Sequence, residues 1–205
     1  MNSNGVILFG GSFDPVHQGH ILMAQFAIGY LHADRLVMIP AARSPHKHHP
    51  PVAEGQDRLE MIRLAIRGIA GLEVSDIELK RPQPSYTFDT VVAFRQQVGV
   101  SVPLYWLVGA DAVGDLPYWY RIGELLDICQ LCIMYRAGYE RPSFKALQFS
   151  FRPDQIASLE RHIIPTPLVD ISSTEVRRRI AAGQAGEDIL CPDVLKYIIK
   201  NKLYH

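Results

Sequence analysis

Two histidines, His17 and His20, stand three residues apart in the stretch GGSFDPVHQGH, Gly10 to His20, with Gly19 between them. The stretch follows the apolar run VILF and leads into ILMAQF, so it reads as the junction of a strand and a helix. A helix amino terminus attracts anions through its N–H groups and its dipole. His17 in the loop and His20 in the first turn are then placed to face one anion from two sides, with Gly19 removing a side chain that would stand between them. Beside a phosphate an imidazole gains proton affinity and donates hydrogen bonds near neutral pH. Such a pair suits a crowded, negatively charged phosphorus centre and needs no covalent nucleophile. Gly10 and Gly11 let a phosphate or ribose approach the backbone closely, and Ser12 and Phe13 continue the same loop. The segment is neither GxGxxG nor GxxxxGK[ST], which excludes a dinucleotide fingerprint and a Walker-type loop.

Later stretches carry complementary chemistry. In ISSTEVR, Ile171 to Arg177, the run SSTE is a capping box with Ser172 as cap and Glu175 three residues on. Ser172, Ser173 and Thr174 also offer hydroxyl and N–H groups to phosphate oxygens, and Arg177 can grip two such oxygens at once. Arg178 and Arg179 point elsewhere, because successive helical residues fan by about 100°. The loop SPHKHHPP, Ser44 to Pro51, places the cations of His46 and Lys47 over the site and has the length of a lid. Its His46, His48 and His49 also admit a metal reading. Asp111 follows a strand end at Gly109, where a carboxylate can bind ribose hydroxyls. Tyr118 and Trp119 offer flat faces for a ring, with core packing the competing reading of Trp119. The CxxC at Cys129 to Cys132 lies in ICQLCIMY, a buried strand in which residues three apart face opposite sides. It reads as structural.

The elements that must hold these groups alternate. The runs VILF, RLVMIP, LEVSDIEL, PLYWLVG and LCIMY read as strands. Between them lie amphipathic segments in which Leu59, Ile62, Ile66 and Ile69 share one helical face, as do Val91, Phe94 and Val98. This predicts an α/β fold, a doubly wound parallel sheet with helices on both faces. Beyond LCIMY the pattern predicts a helix around Asp154 to Arg161, a strand near Ile163 to Ile171, and helices in SSTEVRRRI and PDVLKYIIKNK. We expect a single domain over 1–205, with a small helical part at about 172–205. Of the 205 residues 48% are hydrophobic and 20% charged, and net charge is zero, which argues against a nucleic-acid surface. The opening MNSN has no signal-peptide character, no apolar run spans a membrane, and three cysteines without framework spacing suit a reducing compartment. A cytoplasmic location is the expectation. Composition leaves a homo-oligomer open.

The pair His17 and His20 behind GGSFDP resembles the HxGH signature of the nucleotidyltransferase superfamily, whose second marker, ISSTxxR, is matched by Ile171 to Arg177. PHK at Pro45 to Lys47, SYTFDT at Ser85 to Thr90 and the block GADAVGDLPYWYRIGELL from Gly109 narrow the likeness. With these the chain resembles bacterial nicotinate-nucleotide adenylyltransferases from Val6 to the terminal VLKYIIKNKLY. The resemblance implies a Rossmann-like fold and transfer of AMP from ATP to nicotinate mononucleotide, giving deamido-NAD and pyrophosphate. Mg²⁺ would accompany the ATP without a protein metal cage. It implies catalytic roles for His17, His20, Lys47 and Arg177. ATP would be bound by Gly10, Gly11, Ser12, Phe13, Gly109, Asp111, Ser172, Ser173 and Thr174, and the mononucleotide by His46, Thr87, Tyr118, Trp119 and Arg136. Val113-Gly114 and Ala137-Gly138 depart from the usual residues of such enzymes, and the second departure weakens the case for Arg136. Two alternatives stand beside this reading. One is another HxGH adenylyl- or cytidylyltransferase, acting on nicotinamide mononucleotide or phosphopantetheine; the other is a catalytically idle nucleotide sensor.

Overall fold

β-Branched and large apolar residues dominate the first strand, β1 (Val6–Gly11), because it is covered on both sides. Val6 and Leu8 point into one core layer, Ile7 and Phe9 into the other, as the two-residue period of a strand requires. The computed structural model describes residues 4–43, 45, 49–136, 140–167, 171–184, 186 and 188–205, and of Arg136 the backbone alone. It contains five further strands: β2 (Arg35–Pro40), β3 (Leu72–Val74), β4 (Leu104–Gly109), β5 (Gln130–Arg136) and β6 (Ile163–Thr166). All pair in parallel, in the order β3-β2-β1-β4-β5-β6. The chain builds one half of the sheet outward from β1, then returns to lay β4 against the other side of β1. That reversal is where α/β sheets of this order bind ligands.

Helices α1 (Gln18–Leu31) and α2 (Gly55–Ile66) cover the face that holds Ile7 and Phe9. The opposite face takes α3 (Thr87–Val98), a 3₁₀ segment (Ala110–Tyr118), α4 (Ile122–Ile128) and α5 (Pro153–Arg161). The last two helices, α6 (Ser173–Ala181) and α7 (Pro192–Lys200), return to the α1 and α2 side. There Val176, Ile180, Val194 and Ile198 join the same core layer. Burying each such side chain stabilises the fold by roughly 1.5–3 kcal/mol. The Tyr197 hydroxyl donates to Asp57 Oδ1 at 2.8 Å, fixing α7 to α2. Among the described residues no helix is long and apolar enough to cross a membrane.

Two expected strands are shorter than their apolar runs. LEVSDIEL pairs only through Val74. The Ser75 amide makes a last bond to Met38 O, and the Ser75 hydroxyl then accepts the Ile77 amide. A side chain that bonds the backbone in this way ends a strand. The run from Ile163 pairs only to Thr166; with β6 at the sheet edge, Pro165 is tolerated, and Pro167 has no N–H to continue the ladder. The CxxC cysteines are buried on opposite sides as expected, although β5 begins only at Gln130 and Cys129 is the cap of α4 rather than a strand residue. Cys129 and Cys132 are buried in opposite core layers, and burial pushes both thiols up from their usual value.

Candidate active site

At the reversal point the carboxyl ends of β1 and β4 flank a cleft of ≈ 350 Å³, within the range of small-ligand sites. Gly10, Gly11 and Ser12 line it from β1, Gly109 and Asp111 from β4, and Thr87 from the start of α3. The glycines are small for reasons beyond ligand approach. A Cβ on Gly10 would stand 2.4 Å from the Trp106 ring, and one on Gly109 would meet the Asp111 carboxylate at 2.2 Å. The close approach at these positions is made by the protein's own side chains.

Beyond Gly11 the chain turns sharply. Phe13 is held in the left-handed region at φ 47°, a conformation that bulky residues adopt only under constraint. The constraint is packing, since its ring lies edge-on to Phe9 at 5.3 Å and to His20 at 5.0 Å. His17 caps α1 and is only 4% exposed. The rings of His17 and His20 do not flank a gap, as the sequence suggested, but stack directly, centroids 3.7 Å apart at 24°. Residues three apart on a helix share a face, so Gly19 has no side chain to withdraw from between them. The His17 amide donates to His20 Nδ1 at 3.3 Å, which leaves the proton of a neutral His20 ring on Nε2. His17 Nδ1 has no hydrogen-bond partner among the described residues. Burial lowers the His17 pKa to about 4. His17 is therefore neutral in the free protein; the expectation of raised proton affinity concerns the ring beside a phosphate. The amino end of α1 is also less open than expected, because the Gln18 amide donates to Ile189 O at 2.9 Å.

The second motif docks on this loop from far along the chain. Ser173 Oγ donates to Pro15 O at 2.9 Å, and Arg177 Nη1 donates to Asp14 O at 2.7 Å. Ser172 caps α6 by accepting the Glu175 amide at 3.2 Å. The Glu175 carboxylate turns instead to Arg178 and Arg179, whose hydrogen bonds hold its pKa down at about 2. Arg177 thus faces the loop while its two neighbours are spent along the helix, as the 100° fan requires. Thr174 Oγ1 accepts from Arg177 Nη2 at 3.3 Å.

The other wall of the cleft is aromatic. Trp119 lines it, half-buried against the core, and Thr87 stands in the first turn of α3. Tyr118 is not brought in; it is 79% exposed and outside the lining. Its place is taken by two residues the sequence reading missed, Tyr86 and Tyr120, whose rings meet at 4.6 Å. Alternation along PYWY was the available signal. Glu78 was missed as well. It lines the cleft from the turn after β3, accepts the Thr90 hydroxyl at 2.7 Å, and has its pKa raised by burial against the opposing bonds from Thr90 and Ser85. No sequence signal marked it, because it sat in a run read as strand. His46 and Lys47, and with them His48, lie outside the described residues, as does the Arg136 side chain.

A parallel sheet that reverses at a cleft, with two motifs meeting on the loop beside it, defines a nucleotide-binding α/β protein of the Rossmann type. The family model described as Cytidylyltransferase-like matches residues 8–179. A relative from Gloeobacter violaceus, named a probable nicotinate-nucleotide adenylyltransferase, is 39% identical over 96% of this chain and 94% of its own. One of the same name from Rhodopirellula baltica is 36% identical over 99% and 94%. The chain belongs to the cytidylyltransferase-like family, within its nicotinate-nucleotide adenylyltransferases. Among solved structures, the Plasmodium falciparum nicotinic acid mononucleotide adenylyltransferase complexed with NaAD superposes with a TM-score of 0.71, covering 98% of this chain and 97% of that one. At 17% identity that likeness speaks to the fold.

Proposed function

We propose that this chain transfers the adenylyl group of ATP to nicotinate mononucleotide, releasing pyrophosphate and forming deamido-NAD. The observation that carries the reading is the meeting of Arg177 and Ser173 with the loop that bears His17 and His20. It gathers donors suited to a triphosphate next to the cleft that takes the second nucleotide. The names of the curated relatives supply the acceptor.

In this reading an oxygen of the mononucleotide phosphate attacks the α-phosphorus in line. The new O–P bond forms as the bond to the β-phosphate oxygen breaks, and pyrophosphate leaves with the electron pair. Transfers of this type leave positioning and charge stabilisation to the protein. His20 presents Nε2–H to a non-bridging α-oxygen, and His17 Nδ1, buried without a partner among the described residues, gains one when the triphosphate arrives. Arg177, with the hydroxyls of Ser173 and Thr174, steadies the leaving pyrophosphate. Lys47 and His46 orient the acceptor phosphate from their loop, and Arg136 adds charge at the end of β5. Gly10, Gly11, Ser12 and Phe13 shape the bed of the nucleotide, and Asp111 takes its ribose hydroxyls beyond Gly109. Trp119, with Tyr86 and Tyr120, sandwiches the pyridine ring, and the first turn of α3 at Thr87 receives its carboxylate. Mg²⁺ brought with the ATP would be held chiefly by phosphate oxygens and water, with the exposed Asp115 carboxylate at the cleft an oxygen donor of the type it accepts, and it would offset the charge of the phosphates.

Pyrophosphate release measured side by side with nicotinate mononucleotide, nicotinamide mononucleotide and phosphopantetheine tests the assignment. The expected order puts nicotinate mononucleotide first. Faster release with phosphopantetheine, or ATP binding with no release for any acceptor, overturns it.

A further inference from the structure

One carboxylate lies where the separate motif segments join, and neither sequence motif accounts for how it is held. Asp14 is 4% exposed. Its Oδ2 accepts the Val52 amide at 2.7 Å; its Oδ1 accepts the Ala53 amide at 3.0 Å and the Tyr204 hydroxyl at 2.7 Å. Val52 and Ala53 follow the loop that carries Lys47, and Tyr204 lies in the segment after α7. Beneath them Arg58, 2% exposed, donates to Ser12 O at 2.8 Å and to Ala53 O at 3.1 Å. Burial pushes the Arg58 guanidinium down, and the Asp14 charge opposes that shift. Arg177 Nη1 stands 3.9 Å from Asp14 Oδ2 while bonding the Asp14 carbonyl at 2.7 Å. The arginine meant for the triphosphate is therefore bonded to the Asp14 carbonyl and within ion-pair reach of its carboxylate, without a hydrogen bond to the carboxylate itself.

We propose that Tyr204 and Asp14 are positioning residues for the transfer: the Tyr204 hydroxyl occupies Asp14 Oδ1, so that Arg177 stays available to the nucleotide. The inference rests on Arg177 serving the triphosphate as described above. A carboxylate has about four acceptor sites, and three uncharged donors fill most of them here. Each of these bonds to the carboxylate offsets part of its charge, so removing the Tyr204 donor leaves a buried anion under-compensated, and the nearest described cation makes up the difference. That cation is Arg177, which ATP would then have to win back. The Tyr204 hydroxyl thus acts on ATP affinity without touching ATP.

Tyr204→Phe removes one oxygen and keeps the buried ring in its seat, so the fold is retained. Its KM for ATP and the dissociation constant of a non-hydrolysable ATP analogue, measured by calorimetry, are expected to rise about tenfold, the scale of one hydrogen bond. The KM for nicotinate mononucleotide is expected to stay within twofold. In an Arg177→Ala background the same change should add nothing further. In an Asp14→Asn background it should also add nothing, since no charge is left to draw the guanidinium. A merely structural hydroxyl would lower Tm and leave the ATP terms unmoved, and that result overturns the proposal, as does a tenfold loss that persists in either background. Arg177→Ala alone with unchanged ATP affinity would sink the underlying reading instead.

Discussion

The β1–α1 loop, whose His17, His20 and docked Arg177 stand outside the cleft lining, and the aromatic wall of the cleft beside it are built on different principles. On the side of the β1–α1 loop the polar groups are buried and bonded: Asp14 holds three donors, Arg58 two carbonyls, and Arg177 and Ser173 reach the loop from α6. On the side of α3 and the 3₁₀ segment the lining is aromatic and half open, with Tyr86 and Tyr120 in ring contact and Trp119 beside them in the lining. The contrast follows from what each side would handle. A phosphorus centre changes its charge during reaction, and fixed dipoles stabilise that change most when no reorganisation is needed. A pyridine ring does not change during the transfer, and contact area is enough to hold it.

The contrast can be broken most severely at His20. His20→Ala should lower kcat by roughly 10²–10³, as loss of one preorganised donor does, with the mononucleotide KM little moved; wild-type turnover would place the reacting centre elsewhere. Nearly as large is an effect of acid on the same loop. His17 titrates at about 4 in the fold and near its ordinary 6.5 when unfolded. The unfolded chain therefore binds the extra proton first, and stability present above pH 6.5 declines as pH falls toward 4. The expected loss is up to ~3 kcal/mol, read as a falling urea midpoint. His17→Asn should flatten that slope, and an unchanged slope would assign it to other groups. The smallest effect belongs to the aromatic wall. Trp119→Ala should raise the mononucleotide KM by about tenfold, from ring contact of roughly 0.5–1.5 kcal/mol plus lost burial, while Tyr118→Ala leaves it unchanged. Equal effects of the two would erase the distinction between the lining and the exposed ring.

What the sequence disclosed follows the same division. β1, β2, β4 and β5 were legible because central strands covered on both faces must be continuously apolar. The edge strands were read too long, since the bond that ends β3 comes from a serine hydroxyl, which hydropathy does not register. His17, His20 and Arg177 were legible as motif residues. Their arrangement was not: whether two imidazoles flank a space or stack on each other depends on Phe13, whose left-handed backbone leaves no mark in residue type. The partners of Asp14 were equally hidden, for Tyr204 is far along the chain and reaches the loop only when α7 packs on α2. On the aromatic wall the block PYWY showed that rings are present, and the 3₁₀ turn decided which of them face inward.

The placement of Cys129 and Cys132 in opposite core layers has a practical consequence. The backbone of β5 stands between the two sulfur atoms, each 3.9 Å from the Gln130 carbonyl oxygen and buried in its own core layer, so joining them requires that strand to move. Cys191, half-buried at the cap of α7, is the third. A maleimide dye will find one accessible thiol in the native protein and three in urea, which gives a built-in attachment point on the helix that carries Tyr204 toward the nucleotide loop.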